Sequence, residues 1–150
     1  MRFTTKTEYG LVCLIYMSKN AELKLDPVTI RELVQAEQYS PTYTEKIMQN
    51  LRMAGVVNAQ RGNQGGYTLA RAPGLITLKH IVEALEGGTF EVFCTPGVRE
   101  EIICTHFPFC GIKPVWEKTK EVLDHLYDSI TLEMIAKNEV ESAPVSRAPQ

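Results

Sequence analysis

The sequence predicts a mainly α fold carrying one small β-hairpin, in the order of a winged helix-turn-helix followed by a long helical arm. Three observations carry this expectation. Helical periodicity recurs in three segments between Thr5 and Ala54, the last two separated by a tight connection. Two short runs of strand-type residues then flank a Gly/Asn-rich turn at 61–66. Finally, an irregular cysteine-bearing stretch gives way near Pro114 to a long amphipathic helix. A chain of 150 residues suits one domain with an arm, and 44% hydrophobic with 23% charged residues is a globular composition.

The first helix is expected from Thr5, because Thr5 and Glu8 have the spacing of a capping box, and Tyr9 to Met17 reads as a largely buried helix. A loop follows from Ser18 to Thr29. Thr29 and Glu32 form a second capping-box pattern, opening a short helix that ends by about Glu37. Ser40 as cap and Pro41 at the first helical position start the third helix. There Tyr43, Ile47, Leu51 and Ala54 recur on one apolar face, Thr42, Glu45, Lys46, Gln49 and Arg52 lie toward the other, and Gly55 ends the helix.

Val56 to Gln60 and Tyr67 to Ala70 have strand character, and the glycines between them permit positive φ. Thr77 can cap a further helix to about Leu85, closed by Gly87 and Gly88. From Pro114, Trp116, Leu123, Leu126 and Ile130 form an apolar stripe that is a candidate dimer seam, and a brief helix near Thr131 to Lys137 precedes a loose tail. The expected organisation is therefore a winged unit at 1–88, a cysteine-rich loop at 89–113, a dimerisation helix region at 114–138 and a tail at 139–150.

Charge is segregated. Residues 1–80 carry ten Lys/Arg against six Asp/Glu, whereas residues 81–150 carry six against twelve, which hides a basic half inside a net charge of −2. A basic half can meet phosphates while the acidic half faces elsewhere. The order of elements is that of folds that place one helix in the major groove of double-stranded DNA and let a wing touch the backbone or minor groove. Ser40, Thr42, Tyr43, Glu45, Lys46 and Arg52 around the third helix, with Arg61 and Gln64 at the hairpin, are the candidate DNA-binding residues. Hydroxyls, Lys and a helix N-terminus suit phosphates; Glu can accept from cytosine, and Arg can donate to guanine.

No apolar run approaches the roughly 18 residues of a membrane span, so a cytoplasmic protein is expected. In that compartment thiols stay reduced, and Cys94-x9-Cys104-x5-Cys110 with His106 reads as a metal or cluster loop. Thiolates are the usual ligands of iron–sulfur clusters, but three Cys plus a His is also a zinc set, and a reactive thiol is a third reading. Cys13, inside the apolar first helix, reads as a small core residue. No phosphate-cradling loop and no Ser/His/Asp or Cys/His set suggests an enzyme. A small iron–sulfur electron carrier is the rival from another class.

Residues 1–137 resemble the IscR/NsrR-type (Rrf-two) winged-helix transcriptional regulators, many of which hold an iron–sulfur cluster. The resemblance rests on Ser40 to Val57 (SPTYTEKIMQNLRMAGVV), on the wing Arg61 to Arg71 (RGNQGGYTLAR), and on the three-cysteine loop leading into Pro114, Val115 and Trp116. It implies a homodimer reading a palindromic operator, with Thr42, Glu45 and Arg61 reading bases and Cys94, Cys104 and Cys110 holding a 2Fe–2S or 4Fe–4S cluster. The chain departs from the family in two places. Its first cysteine interval is longer than the commoner Cys-x5-Cys-x5-Cys, and Lys113 stands where IscR-like members have a His. The resemblance offers Glu8 as the fourth ligand, reaching across the dimer, with His106 as the alternative.

Overall fold

The structure, a computed structural model, describes residues 3–24, 27–92 and 109–142. Helix α1 spans Thr5–Glu22, α2 Ile30–Glu37 and α3 Pro41–Met53. Strands β1 (Val57–Gln60) and β2 (Gly66–Leu69) pair antiparallel, with Val57 opposite Leu69 and Gln60 opposite Gly66. A 3-10 turn at Pro73–Leu75 leads to α4 (Leu78–Glu86), and then come α5 (Lys113–Ser129) and α6 (Leu132–Ala136). The expected mainly α fold with a winged helix-turn-helix is present.

The core sits where α1, α2, α3 and α4 meet. Leu14 and Met17 of α1, Leu33 of α2, Ile47, Met48 and Leu51 of α3 and Ile81 and Leu85 of α4 are all fully buried. Removing each such side chain from water contributes about 1.5–3 kcal/mol. Gly10 faces Leu85 so closely that a Cβ at this position would run into the leucine side chain, so α1 and α4 pack at short range.

Several local expectations hold. Thr29 and Glu32 form the reciprocal capping box of α2, with Glu32 N–H donating to Thr29 Oγ1 at 3.2 Å and Thr29 N–H to Glu32 Oε2 at 2.7 Å. Thr77 caps α4, and its box is completed by His80: Thr77 N–H donates to His80 Nδ1 at 3.0 Å. Gly87 closes that helix at φ 90°.

Others are corrected. The cap of α1 is Thr4, and Thr5 and Glu8 form no capping box. Instead Glu86, from the end of α4, accepts from Thr4 N–H at 3.0 Å, from Thr4 Oγ1 at 2.6 Å and from Thr7 Oγ1. A carboxylate brought in by the tertiary fold thus satisfies the donors that a local Glu was expected to satisfy. On α3 the buried face is Thr44, Ile47, Met48 and Leu51, while Ala54 is exposed and Tyr43 is half-buried. Gly55 lies one position beyond the cap Ala54, at φ 71°.

Two single-residue bridges were not anticipated. Val28 pairs with Tyr67 through hydrogen bonds of 2.9 and 2.7 Å, adding a third extended segment beside the wing. Thr77 pairs with Thr131, where Leu78 N–H donates to Ile130 O and Leu132 N–H to Ile76 O, each at 2.8 Å. Leu132, from the region assigned to the arm, is fully buried in the same core cluster as α1 to α4.

The apolar stripe of α5 also divides differently. Trp116 turns inward, its ring centroid 6.1 Å from Phe90, and Tyr127 is buried against Phe3 at 6.2 Å. Leu123, Leu126 and Ile130 are half-buried. The apolar residues left outside are Ile112, Val115 and Val122, 44 to 49% exposed, and an open groove runs along Pro114, Val115, Thr119, Val122 and Leu123. Trp116 of the predicted stripe is thus engaged within its own chain.

Candidate nucleic-acid interface and cysteine loop

Ser40 caps α3 in extended conformation with Pro41 following it. Its carbonyl, not its hydroxyl, does the capping work, accepting from Thr44 N–H and from Thr44 Oγ1, both at 2.9 Å. Because Thr44, Ile47, Met48 and Leu51 occupy the inner face, Thr42, Glu45, Lys46, Gln49 and Arg52 are all exposed on the outer one. Ser40 is exposed at the same end. This gives one helix with an outward row of a hydroxyl, a carboxylate, two cations and an amide, a donor and acceptor set suited to base edges and phosphates.

The hairpin brings Arg61 and Gln64 to its tip, both exposed. Its turn depends on glycine at two places. Gly62 has φ 117°, and a Cβ at Gly66 would come within 2.6 Å of the Val28 carbonyl oxygen. The wing is thereby held against the segment preceding α2. Of the eight residues expected from sequence to meet DNA, seven are exposed and Tyr43 is not. The Tyr43 ring packs edge-on to Tyr9 at 5.7 Å and 80°. Exposed Arg31 on α2 and Asn63 at the wing tip were not singled out from sequence, although each lies in or beside a recognised motif.

Cys94, Cys104 and His106 lie outside the described residues. Cys110 is half-exposed just before α5, its carbonyl accepting from Lys113 N–H at 3.3 Å. Cys13 is fully buried, and burial first, then the charge of Glu37, pushes its thiol up to about 12. Such a thiol is a poor ligand and nucleophile. Among the described residues no group of three His, Cys, Asp or Glu side chains is placed to hold a metal ion.

Glu8 is exposed in the first turn of α1 and makes no hydrogen bond or ion pair with another described residue. Burial would raise the pKa of Glu86, but the hydrogen bonds from Thr4 and Thr7 outweigh it and hold the carboxyl below its ordinary value.

The N-terminal end of the cysteine-bearing stretch is tied to α5. Thr89, 5% exposed, donates to Asp124, which also receives Lys120 at 2.6 Å. Burial raises the Asp124 pKa, but these two hydrogen bonds outweigh it and lower it. Lys79 of α4 bridges to Asp128 at 3.2 Å, fastening α4 to the same helix. Phe90 on Trp116 completes the attachment.

Residues 3–138 match the family model Rrf2, described as an iron-dependent transcriptional regulator. The chain is 30% identical over 136 residues to the HTH-type transcriptional regulator CymR of Bacillus subtilis, covering 91% of this chain and 90% of that one. The solved structure of that regulator, described as the global cysteine regulator of the organism, aligns with TM-score 0.70 at 29% identity over 92% of this chain and 98% of its own. The HTH-type transcriptional regulator NsrR of Bacillus licheniformis is 29% identical over 139 residues, 93% of this chain and 94% of the relative. The structure of T. potens IscR aligns with TM-score 0.68 at 29% identity, covering all of this chain and 94% of that one.

Proposed function

Since the chain belongs to the Rrf2 family of transcriptional regulators, we propose that it is a cytoplasmic homodimer, most simply a repressor, whose affinity for a palindromic operator is set by an iron–sulfur cluster. Its relatives are DNA-binding regulators and not enzymes. In this reading α3 enters the major groove, with Thr42, Glu45 and Arg52 toward bases and Ser40 and Lys46 toward phosphates. Arg61 and Gln64 on the wing reach the neighbouring groove or backbone. Tyr43 contributes by packing. The dimer forms along the exposed face of α5 around Val115 and Val122.

Cys94, Cys104 and Cys110 would hold the cluster, with Glu8 of the partner subunit as the fourth ligand and His106 as the alternative. The single observation that supports this assignment is that Glu8 is exposed with no hydrogen-bond or ion-pair partner among the described residues, while Glu86 accepts from Thr4 and Thr7. The chemistry of the donors fits: Cys110 is accessible at the foot of α5, Cys13 is withdrawn into the core, and an exposed carboxylate is a replaceable ligand. When bound, the cluster supplies a centre that responds to oxidation, nitric oxide or iron supply. The protein's part is to connect the loop to the DNA-reading elements. Thr89 and Phe90 fix the loop to α5, and Glu86, three residues before Thr89, fixes the start of α1. A change in the loop that favours one arrangement of these contacts over another shifts DNA affinity by at most that free energy, and only as far as the two arrangements bind DNA differently.

The visible absorption spectrum of protein purified without oxygen tests the reading. Broad charge-transfer bands, lost on substituting Cys94, Cys104 or Cys110, are expected. A protein that stays colourless after reconstitution with iron and sulfide rejects the cluster. The second reading is then a cluster-free thiol- or zinc-dependent regulator on the same fold, favoured by the likeness to CymR across nine-tenths of both chains. Zinc content and thiol titration separate its two forms.

A further inference from the structure

An aromatic cluster joins α1 to the turn between α2 and α3. Tyr9, the residue after Glu8, lies face to face with Tyr39, the ring centroids 3.9 Å apart and the planes 1° from parallel. The same Tyr9 ring takes the edge of Tyr43 at 5.7 Å. Tyr39 immediately precedes the Ser40 cap, and Tyr43 lies in the first turn of α3. One ring on α1 therefore holds the chain on both sides of the start of α3.

The approach to this stack is itself constrained. Gln38 ends α2 in the left-handed region at φ 56°, a conformation non-glycine residues rarely adopt, and this bend leads directly into Tyr39. Aromatic rings in contact attract one another beyond the area they bury. The buried face of α3 decides which side of the helix turns inward; the rings hold the N-terminal end, which carries Thr42 and Glu45.

We propose that the Tyr9–Tyr39 stack, closed by Tyr43, is the positioning contact that sets the pose of α3 on DNA and carries displacements of the first turn of α1 to it. Tyr9 and Tyr39 touch no base in this assignment; they act through α3. The inference rests on α3 being the DNA-reading helix and not on the identity of the cofactor.

The test uses the full chain with a duplex selected from a randomised pool on the wild-type protein, and a scrambled duplex of equal length. Tyr9→Leu and Tyr39→Leu should each weaken binding to the selected duplex by about tenfold while binding to the scrambled duplex stays level. The double variant should lose no more than Tyr9→Leu alone, because Tyr9→Leu already removes the contact that Tyr39→Leu removes. Tyr9→Phe and Tyr39→Phe, which keep the rings, should restore the selected affinity. Leucine variants that bind the selected duplex as the wild type does would overturn the proposal. So would equal losses on both duplexes with a matching fall in Tm, which would make the stack merely structural.

Transmission is read separately, as the ratio of selected-duplex affinities before and after reconstitution with iron and sulfide. In the leucine variants this ratio should collapse toward one; an undiminished ratio overturns the transmitting role. A wild-type ratio of one points instead against the cluster reading and leaves the positioning role to the first comparison. A wild type that enriches no sequence overturns the assignment of α3, and the positioning role with it.

Discussion

Glu86 accepts from Thr4 and Thr7, so Glu86→Gln should destabilise the fold by about 1 kcal/mol at neutral pH. The folded carboxyl titrates below its ordinary 4.5, and the unfolded one near it. Its stabilisation is therefore present above that value and is lost as pH falls through the folded pKa. The difference in urea midpoint between wild type and variant should shrink over that acid range and remain constant above it. Cys13→Ala should cost about 1 kcal/mol by leaving a small cavity and should leave any visible absorbance intact. Loss of colour in that variant would place Cys13 among the ligands. Arg61→Ala should lower discrimination between selected and scrambled duplexes by about 1–3 kcal/mol, measured by titration against both. The residue chemistry behind these expectations was only partly legible. Thr29 and Glu32 show their box in the sequence because both ends are local. The identical pattern at Thr5 and Glu8 misleads, since the competing carboxylate arrives from a different helix 82 positions away from Thr4.

Among the elements, the two helices of the helix-turn-helix and the wing were legible because caps, prolines and glycines mark their ends. Boundaries moved by a residue or two, and the outward face of α3 was read correctly at Thr42, Glu45, Lys46 and Arg52. Tyr43 was assigned both to the apolar face and to the DNA-binding candidates, and it is half-buried with its ring edge-on to Tyr9, whereas Ala54, expected on the apolar face, is exposed. The Val28 bridge left no trace, as one residue of pairing has no periodicity. That bridge makes a prediction about the wing. Gly66→Ala would put a methyl group 2.6 Å from the Val28 carbonyl oxygen and should cost about 1–3 kcal/mol, seen as a lowered Tm, with a larger loss of affinity for the selected duplex than Gln64→Ala gives.

For the whole molecule, the sequence indicated an arm but assigned its contact face from apolar spacing alone. Spacing cannot distinguish a residue packed on its own subunit from one awaiting another, and Trp116 proved to be the former. The dimer is therefore expected along Val115, Thr119 and Val122, where an apolar groove lies open. Val115→Glu with Val122→Glu should yield monomers by sedimentation, fold intact by circular dichroism, and weaken operator binding steeply through loss of the paired half-site. A dimer that persists in this variant would move the interface elsewhere.

Leu132 fills the core shared by α1 to α4, and Thr131 is hydrogen-bonded beside Thr77. On the ribosome, that core lacks its last piece until residue 132 has emerged. The cysteine loop has been translated by then. A nascent chain therefore completes the core behind α3 and the wing only after residues 89–113 have been made, so synthesis passes through no stage at which that core is finished and the cysteine-bearing stretch is still missing.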